Sequence, residues 1–221
     1  MAVDAAEGSR FRGGRRHAHP VFSACTAAGA FCLAVVLATA VIAPDRAHAA
    51  QPLDELVAQC AACHGADGSE PATPDTPLLA GQPELYALYQ LVFFRQGQRK
   101  QAVMNEIMRD LDDDTVRALA KWVGALPGEP RPAGAADPER YRRGAEIADR
   151  HRCALCHDAG FAGREHIPRL AGQQEAYLAN ALRDYQTGAR VGLQAAMAET
   201  LTGLDAAALD DLAHYLAHFR P

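Results

Sequence analysis

Cys60-Ala61-Ala62-Cys63-His64 recurs 93 positions later as Cys153-Ala154-Leu155-Cys156-His157. The surroundings repeat with it. Leu79-Ala80-Gly81-Gln82 returns as Leu170-Ala171-Gly172-Gln173, and Pro77 and Pro168 stand two residues ahead of each leucine. Gly97 and Arg99 match Gly188 and Arg190, Met104 matches Met197, and Leu111-Asp112 matches Leu204-Asp205. The offset is 93 at the cysteines, 91 through the middle and 93 again from the methionine onward. One loop has lost two residues and another has gained two, which is the signature of a duplicated unit.

Between the copies runs Pro127-Gly128-Glu129-Pro130-Arg131-Pro132-Ala133-Gly134, followed by Asp137-Pro138. Proline and glycine at that density stop a helix and read as a linker. The expected layout is a domain over 50–126, a linker over 127–138 and a second domain over 139–221. Within each unit the apolar spacing is helical, with no alternating strand pattern. Leu53, Leu56, Val57 and Cys60 share a stripe leading into the first motif. Pro83 suits the first turn of a helix ending near Gly97, and Asp112 offers an N-cap to the next. That helix presents Val116, Leu119, Val123 and Leu126, matched 93 residues on by Leu209, Leu212, Leu216 and Phe219. The expectation is all-α, with three to five helices per unit. Units this small bury a modest core and need an additional staple.

Residues 1–49 read as an address. Arg10, Arg12, Arg15 and Arg16 precede a charge-free run of 23 residues, Val21 to Ala43, and then the small stretch Ala47-His48-Ala49-Ala50. Basic, apolar and small segments in that order make a secretory signal. An uncleaved anchor is the alternative, since a membrane-spanning helix needs about 20 residues. Cleavage removes Cys25 and Cys32 and leaves 17 basic and 24 acidic residues, a formal charge of −7. An acidic balance gives no basic face for nucleic acid. Cysteines exported to an oxidising space usually pair as disulfides. The motif assigns these four another fate.

Cys-x-x-Cys-His is the attachment signature of c-type haem: two thiols form thioethers to one macrocycle, and the adjacent imidazole becomes an axial ligand of its iron. Rival uses fit less well. A zinc ribbon sets its paired motifs about 15–20 residues apart, a thioredoxin-like pair sits in a βαβ context, and structural disulfides leave both histidines unexplained. Cys60, Cys63, Cys153 and Cys156 are therefore the expected anchors of two covalently attached haem c groups, and His64 and His157 the proximal ligands. The sixth ligand separates electron transfer from oxygen or peroxide chemistry. His64 to Met104 and His157 to Met197 both span 40 positions, whereas Met108 has no counterpart in the second copy. The repeat selects Met104 and Met197. His151, His166, His214 and His218 lack histidine counterparts and read as packing or surface residues. Pro77 and Pro168 are candidate carbonyl supports for the proximal histidines. Arg99 and Arg190 suit either haem propionates or a solvated helix end; Tyr86, Tyr177, Phe94 and Tyr185 read as packing near the haems or in the core.

The two Cys-x-x-Cys-His motifs, the Leu-Ala-Gly-Gln that follows each, the Gly-x-Arg pairs and the two methionines resemble the dihaem cytochrome c4 family across the whole mature chain. The resemblance implies two tandem class I cytochrome c domains, each wrapped around one haem, shuttling electrons in the periplasm from a quinol-oxidising donor toward a terminal oxidase. The Arg99-to-Met104 gap departs from this symmetry, being two residues shorter than Arg190 to Met197.

No nucleophile–base constellation marks an enzyme, so the expected function is electron transfer. Two alternatives stand beside it: the haem subunit of a periplasmic dehydrogenase complex, and a dihaem peroxidase, which needs an open iron site that paired methionines would close. Peripheral membrane association is compatible with each. Charge divides unevenly, with six basic and eleven acidic residues in the first unit and ten and eleven in the second. Arg140, Arg142, Arg143, Arg150 and Arg152 precede the second motif, either as a steering face for an acidic partner or as an ordinary solvated surface.

Overall fold

Asp112 and Asp205 open the helices assigned to them, each carboxylate accepting an N–H three residues on, Thr115 at 2.7 Å and Ala208 at 2.8 Å. In the computed structural model, residues 51–128, 134–190 and 195–221 are described. The expected leader over 1–49 and the middle of the linker, 129–133, lie outside them. The first copy comprises α1 (Leu53–His64), α2 (Glu84–Arg95), α3 (Ala102–Met108) and α4 (Asp113–Ala125). The second comprises α5 (Pro138–Arg150), α6 (Ala154–His157), α7 (Glu175–Thr187), α8 (Ala195–Thr200) and α9 (Ala206–His218). Pro83 caps α2, while Asp137 and Pro138 start α5 as cap and first helical residue. Among the described residues no strand forms beyond an isolated bridge between Arg164 and Ile167, and no helix is long and apolar enough to cross a membrane. The fold is all-α.

Each copy builds its own core. In the first, α2 packs on α4 through Ala87, Ala120 and Val123, and α3 closes the end with Met108 against Phe94 and Val116. In the second, Ile147, Leu178, Leu182, Leu209, Leu212 and Leu216 join α5, α7 and α9. The expected faces of α4 and α9 are buried, except that Leu126 and Phe219 at their ends are half-buried. The stripe leading into the first motif is less buried than its pattern implies: Leu56 is 1% exposed but Leu53 is 39% exposed. The reason is length. Helix α5 crosses α9 at Gly144, where an added Cβ would lie 2.2 Å from the Asp211 carbonyl oxygen. The counterpart of Gly144 is Gln51, which precedes the start of α1, so the first copy has no helical residue at that crossing.

Beside the crossing, Arg143 donates to both carboxylate oxygens of Asp211, at 2.5 and 3.0 Å. Arg140 pairs with Glu175 at 2.8 Å and with Asp211 at 3.4 Å. The hydrogen bonds from Arg143 hold the Asp211 carboxyl below the usual carboxylate value, against the opposing effect of desolvation.

Gly144→Ala forces α5 and α9 apart and lowers stability by about 1–3 kcal/mol, read from denaturant unfolding. Asp211→Asn costs about 1.5–3 kcal/mol at pH 7. Because the folded-state value is lowered, that contribution exists above the ordinary carboxylate range and is lost as pH falls through the folded value. The gap between parent and variant therefore narrows below about pH 4 in pH-dependent unfolding.

Candidate haem sites

Both motifs end a helix at their histidine. Helix α1 carries Cys60, Cys63 and His64 in its last two turns and stops at Gly65, φ 85°. In the second copy the chain leaves α5, turns through Arg152 at φ 55° and re-enters the short α6, which stops at Asp158, φ 72° and ψ 158°. Gly65 and Asp158 are repeat equivalents, and only glycine adopts that backbone without strain. Cys60, Cys63, Cys153 and Cys156 are not paired as disulfides; Cys60 and Cys153 are half-buried, Cys63 and Cys156 exposed. Burial pushes the Cys60 and Cys153 thiols up.

His64 and His157 are 8% and 4% exposed. Their Nδ1 atoms lie 2.8 Å from the Pro77 carbonyl oxygen and 2.9 Å from that of Pro168. A carbonyl only accepts, so Nδ1 carries the proton and Nε2 keeps its lone pair for a metal. Burial holds both imidazoles below the usual histidine value, against the pull of the carbonyl bonds. Neutral imidazole is the form that ligates.

The three methionines of the described residues differ in burial. Met108 is 1% exposed in the first core, whereas Met104 and Met197 are half-buried at the edges of theirs. A largely apolar cavity in the second copy brings Met197 together with Cys153, Cys156 and His157 between Leu178 and Leu182. In the first copy, Gln101 accepts the Met104 backbone N–H at 2.7 Å and fixes the start of α3. Two thiols, a buried imidazole with a free Nε2, a thioether and apolar walls are the donor set that haem c requires. The residues fit the group.

The other histidines have local partners. His151 Nδ1 is bonded to the Thr200 carbonyl at 2.7 Å, and His166 meets the edge of Tyr89. Glu175, His214 and His218 bring ligand atoms within 4.8 Å of one another. Yet His214 accepts the Asp137 N–H on Nε2 and gives Nδ1–H to Glu175 at 2.8 Å, so neither nitrogen is left for a metal. The arginines ahead of the second motif are largely paired too: Arg140 and Arg143 as above, and Arg142 with Glu139 and Glu146. Three of the five arginines are thus matched by carboxylates on the same surface, as in an ordinary solvated face.

Arg99 and Arg190 are not solvated helix-end residues; both are bonded across the contact between the copies. Arg99 donates to Gln90 at 2.8 Å and to the Tyr177 hydroxyl at 3.1 Å, while Arg190, 7% exposed, donates to Tyr86 at 3.0 Å and to Gln90 at 2.9 Å. Each arginine also lies over an aromatic ring of its own copy, Arg99 on Phe94 at 4.4 Å and Arg190 on Tyr185 at 4.8 Å. Each thus reaches the tyrosine of the opposite copy. Burial alone raises the Tyr177 hydroxyl, but the two guanidinium groups outweigh it and hold it below the usual tyrosine value.

Gln82 and Gln173 are the residues to which the sequence assigned no role. They are 6% and 4% exposed, and each makes a two-point contact with the opposite copy's backbone. Gln173 accepts the Leu78 N–H at 2.7 Å and donates to the Leu78 carbonyl at 3.0 Å. Gln82 accepts the Arg169 N–H at 3.1 Å and donates to the Arg169 carbonyl at 3.0 Å. Their signal was a polar residue kept at one repeat position; nothing local says what it touches.

Residues 141–220 match the cytochrome c family, and residues 47–123 match the family described as cytochrome c oxidase, cbb3-type, subunit III. Cytochrome c4 of Pseudomonas aeruginosa is 33% identical over 166 residues, covering 69% of this chain and 81% of its own. The chain belongs to the dihaem cytochrome c4 family. The thiosulfate dehydrogenase electron acceptor of Thiomonas intermedia is 38% identical over 143 residues, 61% of this chain and 66% of that protein, just under two thirds of its length. The reduced cytochrome c4 structure from Pseudomonas stutzeri superposes with a TM-score of 0.66 at 27% identity, covering 76% of this chain and 99% of that one. A thiosulfate dehydrogenase from Marichromatium purpuratum matches with a TM-score of 0.65 at 30% identity, covering 76% of this chain but 40% of that one. Like other members of the cytochrome c4 family, the chain has two cytochrome c domains and carries two covalently attached haem c groups.

Asp158→Gly relieves the strained backbone after His157 and raises stability by about 1 kcal/mol, read as a higher unfolding midpoint.

Proposed function

We propose that this cytochrome c4 is an exported periplasmic electron shuttle with domains over 50–126 and 139–221. Cys60 and Cys63 anchor one haem, and Cys153 and Cys156 the other. His64 with Met104, and His157 with Met197, are the axial ligands. The observation that carries this reading is the repetition of one arrangement: a buried, neutral histidine donating Nδ1–H to a proline carbonyl beside two cysteines that form no disulfide. When bound, each haem supplies a reversible one-electron iron couple. The chain's part is to keep Nε2 available, to exclude water with apolar walls and to fill the sixth position with a thioether. That occupied position argues against peroxidase chemistry.

Delivery to a terminal oxidase is the proposed direction. A second reading, electron acceptor for a dehydrogenase, is favoured by the relative named as a thiosulfate dehydrogenase electron acceptor and by the match to a thiosulfate dehydrogenase structure. Mixing the reduced protein with oxidase-containing membranes, and the oxidised protein with a thiosulfate dehydrogenase, separates the two by which transfer is fast.

Mass spectrometry of the native protein finds two haems and a chain beginning near residue 50. Met104→Leu removes about half of the weak near-infrared sulfur-to-iron absorbance, whereas Met108→Leu leaves the band intact and costs less than about 1.5 kcal/mol of stability. Loss of the band in Met108→Leu overturns the ligand assignment.

A further inference from the structure

We infer that Gln82 and Gln173 are positioning residues acting in trans: the glutamine of each copy polarises the peptide that holds the other copy's proximal histidine. The peptide joining Pro77 to Leu78 has its carbonyl oxygen on His64 Nδ1 at 2.8 Å and its N–H on Gln173 Oε1 at 2.7 Å. The peptide joining Pro168 to Arg169 has its carbonyl on His157 Nδ1 at 2.9 Å and its N–H on Gln82 Oε1 at 3.1 Å. Each site is thus a continuous line from imidazole through one amide group to the glutamine of the opposite copy.

Hydrogen bonds in series strengthen one another in a low-dielectric interior. An amide whose N–H is donated carries more negative charge on its oxygen, so it binds the histidine proton more strongly. A histidine whose Nδ1–H is pulled in this way is a more basic, electron-richer ligand, and its orientation is fixed. An electron-rich ligand favours the oxidised metal, so each glutamine lowers the potential of the centre it does not belong to. Interface cohesion alone does not require this arrangement. Both glutamines select the residue after the supporting proline, Leu78 in one copy and Arg169 in the other, and both add a second bond from Nε2 to that residue's carbonyl at 3.0 Å. The shorter acceptor contact is that of Gln173, so the first centre feels the larger effect.

The inference rests on His64 and His157 being the iron ligands. Its test uses the complete dihaem protein with Gln173→Met or Gln82→Met, which keep side-chain length but lose both hydrogen bonds. An NMR-monitored redox titration follows the methyl signals of Met104 and Met197, so that each centre is read separately. Expected are a raised potential at the first centre in Gln173→Met, a raised potential at the second in Gln82→Met, and an upfield move of the Nδ1–H signal at the same centre. Gln173→Glu, which keeps an acceptor, leaves the first centre at or below its parent potential. A shift at the variant's own centre, equal shifts at both, or no shift at either overturns the inference. Absence of ligand-methionine signals in the parent protein overturns the axial assignment instead. If the methionine variants do not fold, hydrogen exchange in the parent decides: Leu78 and Arg169 N–H are expected to exchange slowly, and rapid exchange overturns the clamp.

Discussion

A buried neutral histidine has to dispose of its ring proton inside the protein. Here the partner is a proline carbonyl, Pro77 for His64 and Pro168 for His157, separated by 13 and 11 residues. Much follows from that bond. It selects the tautomer, and burial keeps the ring neutral. It also brings the chain after each motif back over its own helix end, which requires a sharp turn directly after the histidine. Gly65 makes that turn without strain, and Asp158 makes it at a cost.

The two copies share this constraint but meet it with different resources. The second has a full N-terminal helix crossing α9 at Gly144, backed by the ion pairs around Asp211. The first begins its helix past the equivalent position, and buries Met108 in a core that has no matching methionine in the second copy. Duplication conserved the chemistry of the site and let the scaffolds diverge.

The contact between copies is built from satisfied polar groups. Glutamine amides meet backbone, and arginines meet tyrosine hydroxyls and aromatic faces. Among the described residues every buried side-chain nitrogen and oxygen has a partner. Such directional bonds have one good register, whereas apolar packing tolerates sliding. They lie close to both supporting carbonyls, so a contact that joins the copies also reaches their histidines.

How much of this was legible in the sequence depends on the distance over which each feature acts. The pentapeptides, the equal spacing to Met104 and Met197, the caps at Asp112 and Asp205 and the apolar faces of α4 and α9 are local, because the helical period and the capping bond operate within a few residues. They determined an all-α fold, its duplication and its candidate ligands. The pairing of Leu78 with Gln173 and of Arg169 with Gln82 joins residues 95 and 87 apart, and the crossed reach of Arg99 and Arg190 spans 78 and 104. No local pattern encodes which buried amide meets which peptide. Only the tertiary structure decided that, because a polar group withdrawn from water must find its partner wherever the packing of the two copies brings one.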